Sequence, residues 1–188
     1  TVLVGVNDVI AQYQQYPSIP EPTLIANLEA AGALVGSQVN RLADAGAKVI
    51  VSTIPDIGYS PFALAEKSAH IDTDRQQLIM RLVARFNAAL RSSLDNDGHR
   101  IGLVTDDQQV DSSVQYVGSD GYIDVTDPAC DLNQSLLTPP SILDCTDLTL
   151  VPNATSTNYL WADDRHLSYG GQINLGNLAL SRAQNNPF

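Results

Sequence analysis

The first two thirds of the chain alternate between short apolar runs and longer stretches with helical periodicity. The runs 1–6, 48–54 and 100–105 are rich in apolar and β-branched residues, which is typical of strands buried on both faces. Between them, apolar residues recur at helical spacing over 23–46 and again over about 73–94, which predicts two long helices. Strands that alternate with helices in this way predict an α/β fold around a parallel sheet.

The pattern changes after Asp106. Residues 107–160 are polar, rich in Pro and Asp, and without a clear period. An irregular stretch of this length is usually functional, or else contains a helix or strand that the pattern does not reveal. We therefore interpret it as an insertion within a single domain, 1–188, and as a candidate cap over an active site. Ser168 then has the character of an N-cap, and apolar positions after it predict a final helix: Ile173, Leu175, Leu178 and Leu180.

Composition narrows the class of protein. The 188 residues are 44% apolar, which is enough for a hydrophobic core in one domain. Lys and Arg number 10 against 21 Asp and Glu, so the formal charge is −11. Such a surface repels phosphate, which argues against a nucleic-acid partner. The sequence has no run of about 18 apolar residues and so predicts no membrane-spanning helix.

The sequence contains two cysteines, Cys130 and Cys145, in its Pro- and Asp-rich part. A bond between them would close a loop of about 15 residues and stabilise the fold by roughly 3 kcal/mol in the chain-entropy model. We predict this disulfide and, with it, an exported protein that is secreted, periplasmic or on the cell surface. Two free thiols in a cytosolic protein are the alternative. No Cys-x-x-Cys pair or His cluster accompanies the cysteines, so no metal site is predicted.

Two short segments carry side chains suited to catalysis. Asn7 follows the first predicted strand, where its amide can donate a hydrogen bond to a developing oxyanion, and Gly5 allows close approach to the backbone. Asp163 precedes His166 by three residues in a predicted loop, where its carboxylate can orient the imidazole as a general base requires. The alternatives are an Asn-Asp turn that caps its own backbone and a solvated acidic turn with a surface histidine.

A third segment, residues 55–62, is a rigid Pro- and Gly-containing turn after the second predicted strand. Its Ile57, Tyr59 and Phe62, together with Trp161, form the predicted lining of a substrate pocket. The alternative is a turn whose Phe62 packs into the core. No glycine-rich phosphate loop follows any predicted strand, so no nucleotide and no other cofactor is predicted.

Taken in order, these segments resemble those of the SGNH/GDSL hydrolase superfamily, in particular its secreted bacterial lipases and esterases. Residues 5–8 (Gly-Val-Asn-Asp) are similar to the third sequence block of the family, and residues 163–166 (Asp-Asp-Arg-His) to the fifth. The other matching segments lie between them: 54–61 with its Pro-Asp-x-Gly-x-x-Pro pattern, 86–90 and 121–130. Each motif alone is weak, but five in the correct order extend over nearly the whole chain.

The resemblance implies a three-layer α/β/α, flavodoxin-like fold with a parallel sheet, of which this chain would supply about the last three strands. It also implies hydrolysis of carboxylic esters or lipids through a Ser-His-Asp triad. In that mechanism His166 would be the general base and Asp163 its orienting partner, while Asn7 and Gly5 would form the oxyanion hole. The resemblance implies neither a metal nor another cofactor.

The family's Gly-Asp-Ser block, which carries the nucleophile, has no counterpart in this sequence. Ser119, in Gly-Ser-Asp-Gly, has these residues in a different order and lies downstream of the third block. We therefore expect the chain to be the carboxyl-terminal part of a hydrolase. The expected partner is an upstream segment of the same protein that carries the serine, either contiguous or as a separate nicked chain.

Two other functions remain open from the sequence. One is a binding domain without catalysis that has lost its serine. The other is a hydrolase whose nucleophile is the N-terminal Thr1, with its free amine as the base. That chemistry normally belongs to an antiparallel sandwich, whereas the pattern here predicts parallel strands.

Overall fold

Two pairs of parallel strands, packed with α-helices, form the structure, a computed structural model that describes residues 1–185. Strand β1 (Val49–Ser52) pairs with β2 (Ile101–Val104), with the first residues of the two strands opposite each other. Strand β3 (Asp124–Pro128) pairs with β4 (Tyr159–Trp161). Both pairs are parallel, so the α/β class that the sequence predicts is confirmed.

The first predicted strand is much shorter than residues 1–6. Only Val2 pairs, in parallel with Val51, and its N–H and carbonyl form hydrogen bonds to β1 of 2.8 and 2.9 Å. Helix α1 (Val6–Tyr13) begins directly after Gly5, whose φ of 127° turns the chain. The prediction of a strand up to residue 6 is therefore wrong, because the glycine ends the extended segment early.

Helices α2 (Glu21–Asp44) and α4 (Arg75–Ser93) are the two long helices that the sequence predicts. Helix α2 starts before Thr23 because Pro22 is suited to the first turn, where its missing N–H costs no hydrogen bond. Helix α4 starts after Asp74, whose carboxylate accepts a hydrogen bond of 3.0 Å from the N–H of Gln77. The predicted ends differ from the observed ones by about two residues, as is usual for helix termini.

The backbones of α2 and α4 pack closely against each other. A methyl group on Gly32 would collide with the carbonyl oxygen of Phe86, and one on Gly36 with the side chain of Ser93. This close approach lets both helices bury their apolar sides in one cluster with β1. The largest fully buried side chains of this first cluster are Leu24, Leu28, Ile54, Ile57, Leu78, Ile79, Leu82, Phe86 and Leu90.

Different helices cover the two faces of β1. Val49 and Val51 lie in the first cluster, whereas Ile50 and Ser52 line a groove beside helix α6 (Tyr169–Asn185). Successive side chains of a strand point to opposite faces, so α6 lies on the other side of β1 from α2 and α4.

Residues 107–160 contain more regular structure than the sequence predicts. Helix α5 (Asp106–Gln115) and strand β3 both lie there, together with the short 3-10 helices Leu132–Gln134 and Ile142–Asp144. The description of this stretch as irregular is corrected accordingly. The disulfide between Cys130 and Cys145 is present, as predicted, with its Cα atoms 5.7 Å apart.

A second hydrophobic cluster joins α5, the β3–β4 pair and α6. Its buried members are Val110, Tyr122, Val125, Leu160, Trp161, Leu167 and Leu175. Helix α6 begins after Ser168, as predicted, and the Ser168 hydroxyl accepts a hydrogen bond of 3.1 Å from the N–H of Gly171. The cluster thus fixes both ends of the loop that connects β4 to α6. In the part of the chain that the structure describes, no helix is both long and apolar enough to span a bilayer.

Candidate functional site

Asp163 and His166 form a close pair in the loop between β4 and α6. The Nδ1 atom of His166 lies 2.7 Å from Oδ2 of Asp163. The other carboxylate oxygen, Oδ1, accepts hydrogen bonds from the backbone N–H groups of Arg165 at 2.9 Å and His166 at 2.6 Å. The structure thus brings together the two side chains that the sequence predicts as a pair.

The two side chains differ strongly in exposure. The Asp163 side chain is 6% exposed, whereas the imidazole is 62% exposed. A carboxylate only accepts hydrogen bonds, so in the neutral imidazole the proton belongs on Nδ1 and Nε2 keeps its lone pair. No group within residues 1–185 forms a hydrogen bond with Nε2. This nitrogen can therefore accept a proton from a hydroxyl that approaches from solvent.

The loop is attached to helix α3 (Pro61–Ala69) through Phe62. The N–H of Phe62 donates to the carbonyl oxygen of Asp164 at 2.7 Å. The guanidinium of Arg165 lies over the Phe62 ring, 4.9 Å from its centroid, and binds the Asp164 carboxylate at 2.9 and 2.6 Å. Asp163 is thus buried in an anchored loop, whereas His166 itself lies at the surface.

Gly5 and Asn7 follow Val2, the residue that pairs with β1. Gly5 is buried, and a methyl group on it would collide with the ring of Phe86. Asn7 is the second residue of α1 and is exposed, and its side chain forms no hydrogen bond with any residue from 1 to 185. The alternative of an Asn-Asp turn that caps its own backbone is therefore not formed.

Parallel pairing brings these segments to the same end of the sheet, where the strands have their carboxyl ends. Val2 and β1 run in the same direction. Gly5 and Asn7 therefore leave the sheet at the carboxyl end of its strands, as does the turn that leads from β1 to α3. The bond between Phe62 and Asp164 connects that turn to the loop of His166. The predicted oxyanion-hole residues and the turn that binds the loop of His166 thus leave the same end of the sheet, and Asn7 and His166 form no hydrogen bond with each other.

Two of the four residues predicted to line a substrate pocket are core residues. Ile57 is 1% exposed in the first cluster, and Trp161 is 0% exposed in the second, where its indole N–H donates to the carbonyl of Val125 at 3.0 Å. This corrects the prediction that Ile57 and Trp161 face substrate, because both pack inward beside strand ends. Tyr59 and Phe62 are partly exposed, and the Tyr59 hydroxyl donates to Oδ1 of Asp111 at 2.5 Å.

Asn87 is a positioning residue to which the sequence pattern assigned no role. Its side chain is fully buried on α4, and it accepts from the N–H of Ile54 at 2.9 Å and donates to the carbonyl of Ile54 at 2.9 Å. It also donates to Oδ2 of Asp107 at 3.3 Å. These bonds hold the chain as it leaves β1 toward the site. The sequence does contain a signal for this role. Asn87 is an amide on the apolar side of a predicted helix, where a buried polar side chain needs a hydrogen-bond partner.

Two carboxyl groups, of the partly buried Asp56 and the buried Asp106, follow β1 and β2. Burial raises the pKa of Asp56 to about 6, opposed by a hydrogen bond from the N–H of Gly58 and reinforced by the charges of Asp107 and Asp111. Burial also raises the pKa of Asp106 to about 6, opposed by a hydrogen bond from Ser52 and reinforced by Asp107. One oxygen of Asp106, Oδ1, has no hydrogen-bond partner in the described part of the chain.

The groove beside α6 has a volume of about 500 Å³. Leu3, which lines one wall, is 47% exposed, and Leu180 on the opposite wall is 54% exposed, while the buried Asp106 contributes a polar group. The backbone N–H and carbonyl of Leu3 form no hydrogen bond with any residue from 1 to 185. The groove therefore combines an unpaired strand edge with apolar walls.

Residues 1–185 contain no group of three or more His, Cys, Asp or Glu side chains that could hold a metal ion.

A scan against protein-family models and a search of curated proteins found no match for this chain.

Proposed function

We propose that this chain is the base-carrying part of a carboxylic ester hydrolase of the SGNH/GDSL type. The observation that supports the proposal is the pair of Asp163 and His166, in which a buried carboxylate holds an exposed imidazole at 2.7 Å. A general base in acyl transfer needs this arrangement, because the carboxylate fixes the tautomer and stabilises the imidazolium that forms. The proposed substrates are esters or lipids.

In the proposed reaction, Nε2 of His166 takes the proton of a serine hydroxyl while the serine oxygen bonds to the acyl carbon. The carbonyl π electrons move onto oxygen and give a tetrahedral oxyanion. When the bond to the alcohol oxygen breaks, His166 returns the proton to that oxygen and an acyl-enzyme remains. Water attacks the acyl-enzyme in the same way, with His166 first removing a proton and then returning it to the serine.

Asn7 and Gly5 are the proposed donors to the oxyanion. The exposed amide of Asn7 has no partner in residues 1–185, so it can bind a ligand without breaking another hydrogen bond. Gly5, which is buried against the ring of Phe86, is the proposed second donor through its backbone N–H. Removing one donor of this kind typically lowers turnover by about 10²–10³.

The three-layer, flavodoxin-like architecture belongs to the same proposal. Helices α2 and α4 on one face of β1, with α6 on the other, support a sheet that is covered on both sides. Val2, β1 and β2 form adjacent parallel rows and would be the last three strands of that sheet.

The proposed partner is an upstream segment that carries the nucleophilic serine. No serine hydroxyl within residues 1–185 forms a hydrogen bond with His166. Ser60 and Ser168 are buried and donate to backbone carbonyls at 2.6 and 2.5 Å, respectively. The unpaired edge at Leu3 and the groove beside it suit a further parallel strand. Such a strand, contiguous with this chain or nicked from it, would cover the exposed apolar walls.

Part of 107–160 is proposed to form a cap beside the active site. The N–H of Cys130 donates to the carbonyl of Ala162 at 2.9 Å, so the disulfide loop begins one residue from Asp163. The same disulfide supports export to a secreted, periplasmic or cell-surface location. Deleting residues 132–143 should change the preference for acyl-chain length, and an unchanged preference in a panel of p-nitrophenyl esters would reject the cap.

The first test uses the complete protein, purified with any segment that accompanies it, and a fluorophosphonate probe that modifies active serines. We expect the label on a serine outside residues 1–188, in a Gly-Asp-Ser context.

We also expect His166→Ala to abolish hydrolysis of short p-nitrophenyl esters, and Asp163→Asn to lower kcat by about 10⁴. His99→Ala, at an exposed histidine in the turn before β2, is the matched control and should retain full turnover.

Other outcomes separate the alternatives. Near-normal turnover in His166→Ala would reject the assignment of the base. If no chain is labelled and no ester is hydrolysed, a binding domain without catalysis explains the absent serine better. If Thr1→Ala abolishes hydrolysis while His166→Ala does not, the nucleophile is the N-terminal threonine.

A further inference from the structure

Residues 131–149, here called the leucine loop, contain the disulfide and expose several large apolar side chains. Three of its leucines are 86% or more exposed: Leu136, Leu143 and Leu148. Two others, Leu132 and Leu137, are 37% and 44% exposed. A single exposed leucine is ordinary on a protein surface, whereas several of them close together mark an interaction surface.

Hydrogen bonds to Asp144 hold the three most exposed leucines of the loop near one another. Asp144 directly follows Leu143, and its carboxylate accepts a hydrogen bond of 2.5 Å from the backbone N–H of Leu136. Its carbonyl oxygen accepts one of 2.8 Å from the hydroxyl of Thr149, the residue after Leu148. The disulfide at the next residue closes this part of the loop. The leucines are therefore presented by one preorganised region, which lowers the entropic cost of binding through them.

The composition of the leucine loop favours a lipid over a protein partner. The side chains that dominate protein interfaces are enriched in Trp, Tyr and Arg, and leucine is under-represented among them. The loop contains no aromatic residue, no Met and no Arg. Exposed aliphatic side chains gain free energy simply by leaving water for hydrocarbon, which requires no complementary shape in the partner. The interior of a lipid surface supplies that hydrocarbon.

Charge distinguishes between kinds of lipid surface. Residues 101–164 contain no Lys, Arg or His, and the leucine loop itself carries Asp131, Asp144 and Asp147. Anionic lipids attract basic segments and repel an acidic one. A membrane leaflet without net charge therefore fits the loop. The proposed export agrees with this choice, because the negative surface potential of a cell membrane belongs to its cytoplasmic leaflet.

We infer that the leucine loop binds the surface of a phospholipid membrane without net charge. In this complex the side chains of Leu136, Leu143 and Leu148 enter the boundary between headgroups and acyl chains, and the three aspartates of the loop stay in water. Membrane binding of this kind does not depend on the proposed hydrolase function.

The leucine loop adjoins the loop of His166. The N–H of Cys130 donates to the carbonyl of Ala162 at 2.9 Å. Cys145, at the other end of the disulfide, lines a cavity of about 200 Å³ together with Ala162 and Ser168. A membrane bound by the leucine loop would thus lie beside the proposed base. This consequence, that esters held in the membrane are the preferred substrates, rests on the proposed hydrolase function.

The first test measures cosedimentation of the full chain with lipid vesicles at low ionic strength. We expect binding to vesicles of phosphatidylcholine, which has no net charge. Vesicles of the anionic phosphatidylglycerol should bind at least about tenfold more weakly. The absence of binding to phosphatidylcholine, or equal or tighter binding to phosphatidylglycerol, would overturn the inference.

Substitutions of single leucines test the contact itself. Leu136→Gln, Leu143→Gln and Leu148→Gln each remove one inserted apolar side chain and should weaken binding to phosphatidylcholine vesicles about tenfold. Leu34→Gln, at a 60% exposed leucine on α2, is the matched control and should bind like the wild type. All four side chains are exposed, so urea denaturation should show wild-type stability. Unchanged binding in the three loop variants would reject the inference.

A residue-level measurement locates the contact. Amide signals of the isotope-labelled full chain are followed in the presence of phosphatidylcholine nanodiscs that contain a lipid with a spin label on its acyl chain. We expect signal loss within residues 132–148 and none within 24–44. Signal loss confined to another part of the chain, such as the groove beside α6, would reject the leucine loop as the binding surface.

A second copy of this chain is the competing occupant of the leucine loop. Analytical ultracentrifugation of the wild type and of Leu143→Gln distinguishes the two. We expect a monomer in both cases. A wild-type dimer that Leu143→Gln dissociates, together with no binding to phosphatidylcholine vesicles, would assign the loop to self-association and reject the inference.

Membrane binding and hydrolysis can fail independently. His166→Ala should bind phosphatidylcholine vesicles like the wild type while losing hydrolysis. In the active complete protein, Leu143→Gln should lower hydrolysis of an ester held in phosphatidylcholine vesicles about tenfold and leave hydrolysis of dissolved p-nitrophenyl acetate unchanged. An equal effect of Leu143→Gln on both esters would contradict the preference for esters held in the membrane.

Discussion

The carboxylate of Asp163 binds three donors within its own loop. One oxygen accepts from two backbone N–H groups, and the other binds the imidazole of His166. The backbone bonds are local, since a tight turn returns the N–H groups two and three residues onward to the side chain of an aspartate. The spacing of three residues is therefore sufficient to bring the two side chains together. The burial of Asp163, by contrast, depends on packing against other parts of the chain.

Gly5 shows that a single position can satisfy two requirements. Its φ of 127° lies in a region that residues with a side chain rarely adopt, and its Cα packs on the ring of Phe86. The sequence predicts the need for close approach at Gly5. It does not reveal that the neighbour is a core aromatic ring.

Asp106 provides a prediction for the pH dependence of stability. Its pKa of about 6 in the folded state exceeds the ordinary value of 3.8. Its contribution to the free energy of unfolding is therefore fully present below about pH 4 and is lost as the pH rises through about 6. Asp106→Asn stays neutral and avoids this loss. We expect its free energy of unfolding, relative to the wild type, to rise by on the order of 3 kcal/mol between about pH 4 and pH 8 in urea titrations.

A second variant checks the origin of that effect. The hydrogen bond from Ser52 opposes the rise in the pKa of Asp106, so Ser52→Ala should raise this pKa further. The stability of Ser52→Ala should then decline more steeply with pH than that of the wild type. A difference between Asp106→Asn and the wild type that is constant with pH would contradict the prediction.

At the scale of elements, helix α4 joins the hydrophobic core to the site. Its apolar side packs on α2, and its Asn87 holds the chain beyond β1 by two hydrogen bonds to Ile54. That chain continues into the turn whose Phe62 contacts the loop of His166. The helix thus positions the site without contributing a reacting group.

Asn87→Leu should therefore destabilise the fold. The substitution leaves the N–H and the carbonyl of Ile54 buried without partners, which costs about 1–3 kcal/mol for each group. We expect the free energy of unfolding to fall by about 2–6 kcal/mol in urea denaturation, with Ala88→Leu, at the exposed next position, as the control. Stability within about 0.5 kcal/mol of the wild type would contradict this role for Asn87.

The elements predicted correctly are those with a strong period or an uninterrupted apolar run. Helices α2 and α4, strands β1 and β2 and the start of α6 belong to this group. Helix α5 was missed because only Val110 and Ser113, with Asp106 at its start, are buried, so it has no apolar stripe. Strand β3 was missed because Val125 is its one buried residue, so it has no apolar run, and β4 because its three residues are too few to show a period.

At the scale of the whole molecule, two hydrophobic clusters each hold a different set of elements together. The first holds α1, α2 and α4 against β1, and the second holds α5, β3, β4 and α6 together. The loop of His166 lies between them, since it leaves the second cluster and binds Phe62, which packs on the first. The relative position of the proposed base, His166, and the proposed oxyanion-hole residues therefore depends on both clusters.

The disulfide closes a loop of 15 residues beside the second cluster. A crosslink of this length stabilises by about 3 kcal/mol through the entropy of the unfolded chain. We expect the double variant Cys130→Ser and Cys145→Ser to lose about that free energy of unfolding, measured by urea denaturation without reductant. Adding dithiothreitol should lower the stability of the wild type to that of the variant and leave the variant unchanged. Equal stability of the oxidised wild type and the variant would contradict this contribution.

The sequence by itself determined the α/β class, the two long helices, the disulfide partners and the pairing of Asp163 with His166. All of these depend on periodicity, composition or contacts between residues close in the chain. Only the tertiary structure decided that Ile57 and Trp161 belong to the core, that Asn87 anchors the chain after β1, and that Phe62 binds the loop of His166. These features depend on contacts between residues distant in sequence, and burial at such positions is set by which elements pack together.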